Sequence, residues 1–276
     1  MKLITTIPEM QELSTNWRVV TGFVPTMGYL HAGHLSLVQR AVAENQNVVV
    51  SIFVNPSQFG PGEDYNNYPR DLEKDLELLK TCRVTHAFLP KDNDMYPEGY
   101  QTWVSVDGLS KILCGRSRPH HFRGVTTIVT KLLHIVKPQN IYLGEKDFQQ
   151  LVILRKMVQD LNIPCRVVGC PIMREKDGLA MSSRNKYLSL AERQQALCLY
   201  NSLQLAQELY SSGVRNKQEV VAEMKELILK QKGDIDYIDV VDPENLSSLS
   251  ELVRGSRILL AVRIGQTRLI DNLEIV

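Results

Sequence analysis

The feature that most constrains this chain is an alternation running through its first two-thirds. Short, β-branched apolar runs are each followed by a stretch with helical spacing. "RVVTGFVPT" and "NVVVSIFVN" lack the every-second-residue polarity of a half-exposed strand, and Pro or Asn-Pro closes each. That is the pattern of strands buried on both faces. Between them "LSLVQRAVAENQ" is helical in composition, and "YPRDLEKDLELLK" places Leu72, Leu76 and Leu79 on one face with charges opposite. "THAFLP" adds a strand. "GVTTIVTKLLHIVKP" then spaces Val125, Ile128, Val129, Leu132, Leu133 and Val136 as a helix that Pro138 ends. "QNIYLGEKD", an amphipathic helix on Leu151, Leu154, Val158 and Leu161, and "CRVVGCPIM" complete the series. The repetition predicts an α/β fold, a Rossmann-like parallel sheet with helices on both faces.

After "CRVVGCPIM" the character changes. "REKDGLAMSSRNKYLS" is polar, two helical stretches follow, and "DIDYIDVVD", "RILLAVRIG" and "TRLIDNLEIV" read as strands. Helices followed by a run of strands predict a smaller α+β C-terminal domain with a partly antiparallel sheet. The expected division is 1–174 and 175–276, which a chain of 276 residues can accommodate. Thirty-two basic residues against 31 acidic ones leave a net charge of +1, which argues against nucleic acid or an anionic membrane as partner. The amino terminus has no unbroken apolar run of the secretory kind, and no segment is long enough to span a bilayer. Five cysteines without a CxxC pair fit reduced thiols of a cytoplasmic protein and not a zinc site.

In an open parallel sheet, ligands bind beyond the carboxyl ends of the strands. Three polar clusters stand at such ends: "PTMGYLHAGH", "NPSQFG" and "GEKDFQQ". A helix starting near His31 offers free N–H groups and a positive dipole end, and His31 and His34 share one face of its first turn. Gly28 and Gly33 remove side chains where a ring or phosphate must approach the backbone. The alternative is a satisfied, partly buried histidine in a turn shaped by glycine. HxxH lacks the glutamate and the i, i+4 spacing of the zinc helix, so no dedicated metal site is expected. Lys146 can pair with phosphate oxygens, or can belong to a surface step in which Asp147 caps the next helix. Gln150 can then be a capping-box partner, a substrate ligand or both. "MSSRN" is a loop able to close on a triphosphate, or a Ser-rich linker. Asn55 and Gln58 are neutral amides suited to hydroxyl and carboxylate groups. "RSRPHHFRG" clusters Arg116, Arg118, His120, His121 and Arg123, either to gather an anion or as a solvated loop.

The ordered set is more specific than its parts. "PTMGYLHAGH", "VNPSQFG", "YPRD", "SRPHHFRGV", "GEKDFQQL" and "GLAMSSRNKYLS", spanning Val24 to Leu188, resemble the pantothenate synthetase (pantoate–β-alanine ligase) family. "HAGH" and "MSSR" are also similar to the HIGH and KMSKS-type signatures of the wider nucleotidyltransferase superfamily. The resemblance implies a two-step synthesis. Pantoate attacks the α-phosphorus of ATP to give pantoyl adenylate and pyrophosphate, and the β-alanine amine then attacks the acyl carbon to release AMP. It implies that Met27, Gly28, Tyr29, Leu30, His31, Ala32, Gly33 and His34 form the nucleotide turn, with His31 and His34 as positive donors to the phosphates and His34 as proton donor. Gly144, Glu145, Lys146 and Asp147 would hold the nucleotide, with Lys146 neutralising phosphate charge. Met173 would meet the adenine through its backbone, and Met181, Ser182, Ser183 and Arg184 would close on the β- and γ-phosphates.

Gln58, Gln150 and Asn55 would hold pantoate and β-alanine. Mg2+ accompanying ATP, and a homodimer, are also implied. Two positions depart from the family pattern: Cys114 stands where glutamate is common, and His120 where glycine is common, which argues against an obligatory positive φ at 120. The rivals are another HxGH adenylyl- or cytidylyltransferase, a fragment of an aminoacyl-tRNA synthetase, and a binding protein that kept the fold. Gln58 together with Gln150 separates the first of these. Intact His31, His34, Lys146 and Arg184 weigh against the last.

Overall fold

Six parallel strands form the central sheet of the structure, a computed structural model that describes all 276 residues. They are β1 (Lys2–Ile4), β2 (Thr21–Thr26), β3 (Asn47–Ile52), β4 (His86–Phe88), β5 (Asn140–Gly144) and β6 (Arg166–Cys170), in the order β1-β4-β3-β2-β5-β6. The chain builds outward from β2 through β3 to β4, then crosses back to lay β5 and β6 on the other side of β2. The order therefore reverses between β2 and β5, and a crevice opens beyond their carboxyl ends. The helices are α1 (Ile7–Thr15), α2 (Ala32–Glu44), α3 (Leu72–Thr81), α4 (Asp92–Met95), α5 (Cys114–Ser117), α6 (His121–Val136), α7 (Phe148–Asp160), α8 (Leu190–Gln195), α9 (Leu197–Ser211) and α10 (Lys217–Lys230).

Successive strand residues point to opposite faces, so each central strand feeds two cores. Phe23, Val49, Phe88 and Ile141 pack with Met10 of α1, Ile128 of α6 and Leu154 of α7. Their neighbours Val24, Val48, Val50, Ala87 and Tyr142 pack with Leu37, Val38 and Ala41 of α2 and Leu79 of α3. Each fully buried apolar side chain contributes about 1.5–3 kcal/mol, which is why these strands carry no solvent-facing polar alternation.

The C-terminal sheet, β7 (Asp234–Val241), β8 (Arg257–Ile264) and β9 (Thr267–Glu274), is antiparallel throughout, not partly so. Val240, Leu260 and Val262 pack with α9 and α10 in a core drawn wholly from residues after Gly178. Val241 and Leu259 instead join the core of the large sheet. The small sheet is thus covered on both sides and pressed against the elements that follow β5. The first of the two helical stretches expected after the polar segment, "AERQQALCLYNSLQLAQELYSSG", is broken at Ala196 into α8 and α9. No helix is long and apolar enough to cross a membrane.

Candidate active site

A cavity of about 290 Å³ opens at the crevice between β2 and β5. The separate sequence clusters meet on its wall: Met27, His31, Gly33, His34, Asn55, Gln58, Gly144, Lys146, Asp147, Gln150, Met173, Met181, Ser182, Ser183 and Arg184. Gly28, Tyr29, Leu30, Ala32 and Glu145 lie outside that wall. They shape the backbone: Leu30 is buried in the core, and Glu145 turns its carboxylate to Arg257 of β8, 3.5 Å away.

The turn from Gly28 to His34 is held by a carboxylate that its own sequence does not announce. Asp75 of α3 accepts hydrogen bonds from the N–H groups of Tyr29 and Leu30, both at 2.7 Å. Burial pushes the Asp75 carboxyl up, and the two backbone donors pull it part of the way back. Gly28 (φ +80) and Tyr29 (φ +52) both adopt left-handed backbone here, and a Cβ on Gly28 would lie 2.9 Å from the Asp75 carboxylate. The two glycines therefore make room for the protein's own groups: at Gly33 a Cβ would meet the His31 ring at 2.9 Å. Asp75→Asn offers an amide nitrogen to one of the two donors. It is expected to cost about 1–3 kcal/mol in denaturant unfolding.

His31 caps α2 and His34 completes a capping box. His31 Nδ1 accepts from Gly33 N–H at 3.1 Å, and His34 Nδ1 accepts from His31 N–H at 3.4 Å. With both Nδ1 atoms accepting, each proton sits on Nε2. Burial lowers His31 to about 4, with Lys146 adding to the effect, and lowers His34 to about 3, with His31 and Lys146 adding. In the free protein both rings are therefore neutral near pH 7, each offering one Nε2–H, where the resemblance implied positive donors to bound phosphates. His121 is also lowered by burial to about 3, and its Nδ1–H donates to the Gln58 carbonyl at 3.0 Å. The unfolded chain protonates its histidines near 6.5, so between about 3 and 6.5 it binds more protons than the folded chain. Stability is then full above about pH 6.5 and falls as pH drops through that window. Thermal midpoints taken from pH 7 down to 4.5 are expected to decline steadily.

Four cationic side chains reach the cavity, and three are already paired. Arg118 forks onto Glu63 with two contacts of 2.6 Å, Arg184 onto Asp64 at 2.8 and 2.9 Å, and Arg268 onto Asp236 at 2.6 and 3.0 Å. Lys146 has no carboxylate within ion-pair distance. Asp147 occupies the position before α7, but its side chain makes no capping bond, so the capping alternative does not hold. Met173 accepts from Met181 N–H at 3.0 Å, while its own N–H meets no backbone acceptor. Ser182 accepts from Arg184 N–H at 3.3 Å, and Ser183 donates to the Tyr29 carbonyl at 3.4 Å, which ties this segment to the histidine turn.

The amides divide into those that face the cavity and those that serve them. Asn55 is buried and spent inside the protein. Its Nδ2 donates to Gln58 Oε1 (3.0 Å) and the Gly124 carbonyl (3.2 Å), and its Oδ1 accepts from Ser57 and Tyr96 hydroxyls. Asn55 thus orients Gln58 and has no free donor for a substrate. Gln149 is likewise consumed, holding Cys114 N–H and the carbonyls of Leu109 and Ile112. Gln150 makes no side-chain hydrogen bond and lines the cavity. In the basic loop, Arg116 is exposed, Arg118 and His121 line the cavity, and Arg123 stacks on Trp103 at 4.7 Å. His120 has φ −99, so the departure from glycine there costs no strain.

The sequence matches the family model for pantoate-beta-alanine ligase over residues 2–274. The chain belongs to the pantoate-beta-alanine ligase family. It is 54% identical, over 99% of both chains, to a pantothenate synthetase of Thermotoga petrophila. Among solved structures, the pantothenate synthetase of Thermus thermophilus superposes with a TM-score of 0.95 at 48% identity, again over 99% of both chains. The pantoate-beta-alanine ligase of Francisella tularensis, solved with beta-gamma ATP and beta-alanine, superposes with a TM-score of 0.85 at 36% identity, covering 99% of this chain and 97% of the other. For the ligase described here, these likenesses extend through the C-terminal sheet, which the motifs stop short of.

Proposed function

We infer that this chain condenses pantoate with β-alanine at the expense of ATP, through pantoyl adenylate, with both steps in the cavity between β2 and β5. The observation that carries the site assignment is the single unpaired cation of the cavity, Lys146, sharing its wall with two imidazole donors at the start of α2. A triphosphate needs positive charge and hydrogen-bond donors placed in advance at its oxygens, and this wall supplies both. The ligands in the Francisella tularensis structure support the same substrates here.

In the first step a pantoate carboxylate oxygen attacks the α-phosphorus and the bond to the bridging oxygen of pyrophosphate breaks. Lys146 neutralises charge moving onto the leaving phosphates, and His31 and His34 donate Nε2–H bonds. A neutral imidazole is a poor proton source, so His34 acts as a hydrogen-bond donor in this scheme. Arg184 exchanges its partner Asp64 for phosphate oxygens. Gln58 and Gln150 hold pantoate with neutral amides, which avoid repelling its carboxylate.

In the second step the β-alanine amine attacks the acyl carbon, the bond to the AMP oxygen breaks, and the amine's proton is released to solvent. Mg2+ bound to the triphosphate would add positive charge at its oxygens. An exposed oxygen donor such as Asp147 suits an ion that keeps most of its waters, and no step above depends on it. The proposed division of labour puts substrate binding in residues 1–174 and the phosphate-closing segment in 175–276. We also expect a cytoplasmic homodimer, with twice the chain's mass in light scattering. The five cysteines, none in a disulfide, are in keeping with that compartment.

Incubation with ATP, pantoate and hydroxylamine, without β-alanine, is expected to give pantoyl hydroxamate together with AMP. Hydroxamate accompanied by ADP would place activation at the γ-phosphate and refute an adenylate.

A further inference from the structure

The backbone that carries Lys146 is gripped from the far end of the chain. Asn272 on β9 is 2% exposed, and its Nδ2 donates to the carbonyls of Glu145 at 2.9 Å and Lys146 at 3.0 Å. Its Oδ1 accepts from Arg257 Nη1 at 2.9 Å, which fixes the orientation of the amide. Arg257 is buried, lies over the Phe148 ring at 4.0 Å and reaches the Glu145 carboxylate at 3.5 Å. The residue before Asn272 acts on the neighbouring phosphate element. Asp271 holds Arg174 in a two-point pair at 2.6 and 3.0 Å, and Arg174 bridges to Ala180, two residues ahead of Ser182.

We propose that Asn272 is a positioning residue for adenylate formation, setting Lys146 against the phosphates by clamping the peptide groups on either side of its Cα. The proposal rests on the assignment of Lys146 above. The lysine side chain has no protein partner to hold it, so the position of its ammonium depends on where its backbone is held. A displacement of about 1 Å at a group that stabilises a transition state can cost up to about a hundredfold in rate. An asparagine that only stapled two parts of the chain together would instead affect every activity of the site alike.

The test compares Asn272→Ala, Lys146→Ala and the double variant in two half-reactions. These are pantoate-dependent exchange of pyrophosphate into ATP, and aminolysis of supplied pantoyl adenylate by β-alanine. Asn272→Ala is expected to slow exchange by about tenfold to a hundredfold while leaving aminolysis within about twofold. In the Lys146→Ala background the same change should cost less than about twofold, because the group being positioned is gone. Equal losses in both half-reactions, or losses that multiply with Lys146→Ala, would overturn the positioning role. So would normal exchange in Asn272→Ala beside a large loss in Lys146→Ala. Undiminished exchange in Lys146→Ala would instead overturn the assignment of the lysine itself. If the alanine variant does not fold, Asn272→Ser, which keeps one donor, is read in the same assays.

Discussion

Replacing Lys146 by alanine is expected to slow adenylate formation about a thousandfold while leaving the unfolding free energy within about 0.5 kcal/mol. The kinetic loss and the unchanged stability have separate causes. The other cavity arginines must each leave a carboxylate before they can meet a phosphate, because Glu63, Asp64 and Asp236 already engage them. Lys146 is free at the outset, so its charge acts on the triphosphate without that cost. Its freedom also means that no protein partner is stranded when it is removed, and the fold has little to lose. Pantoate-dependent ATP consumption and a denaturant melt, run on the same preparation, check both. A small kinetic loss, or a large loss of stability, would contradict the assignment.

His34→Ala is expected to slow the same step about a hundredfold, through loss of one preorganised donor. His34→Gln, which returns an amide N–H near the position of Nε2, should recover part of that loss. The neutral state of the rings adds a sign. In the free enzyme the rings take up protons only near pH 3–4, so kcat/KM for adenylation should show no histidine titration from pH 6 to 8. An imidazolium mechanism would instead lose rate as pH rose through its pKa. A pH profile that falls by tenfold between 6 and 8 would restore the positive-histidine picture.

The parts of the fold that were legible in the sequence are those whose residues face one environment along a whole element. β2, β3 and β5 are buried on both faces and read as mainly apolar runs without polar alternation, and α6 and α7 carry wide apolar stripes. β1 was not legible, because three residues with only Ile4 buried carry no period. In the site, residues adjacent to strand ends could be found from position alone. Asp75 could not be found that way, since it sits among Asp71, Glu73 and Glu77 in a charged helix. One signal was present: three residues after Leu72 and four before Leu79, it falls on the leucine side of α3. In the structure Leu72 is exposed and Asp75 is buried. Asn272 left still less trace, because its partners are 126 and 127 residues away and only the packing of β9 on the turn after β5 brings them together.

The measurement that bears most directly on adenylate chemistry in this cavity is exchange of labelled pyrophosphate into ATP, with pantoate present and β-alanine left out. Exchange that needs pantoate, proceeds without the amine and collapses in Lys146→Ala is the predicted result. Exchange that appears only when β-alanine is added, or that proceeds equally without pantoate, would contradict a pantoyl adenylate formed at this site.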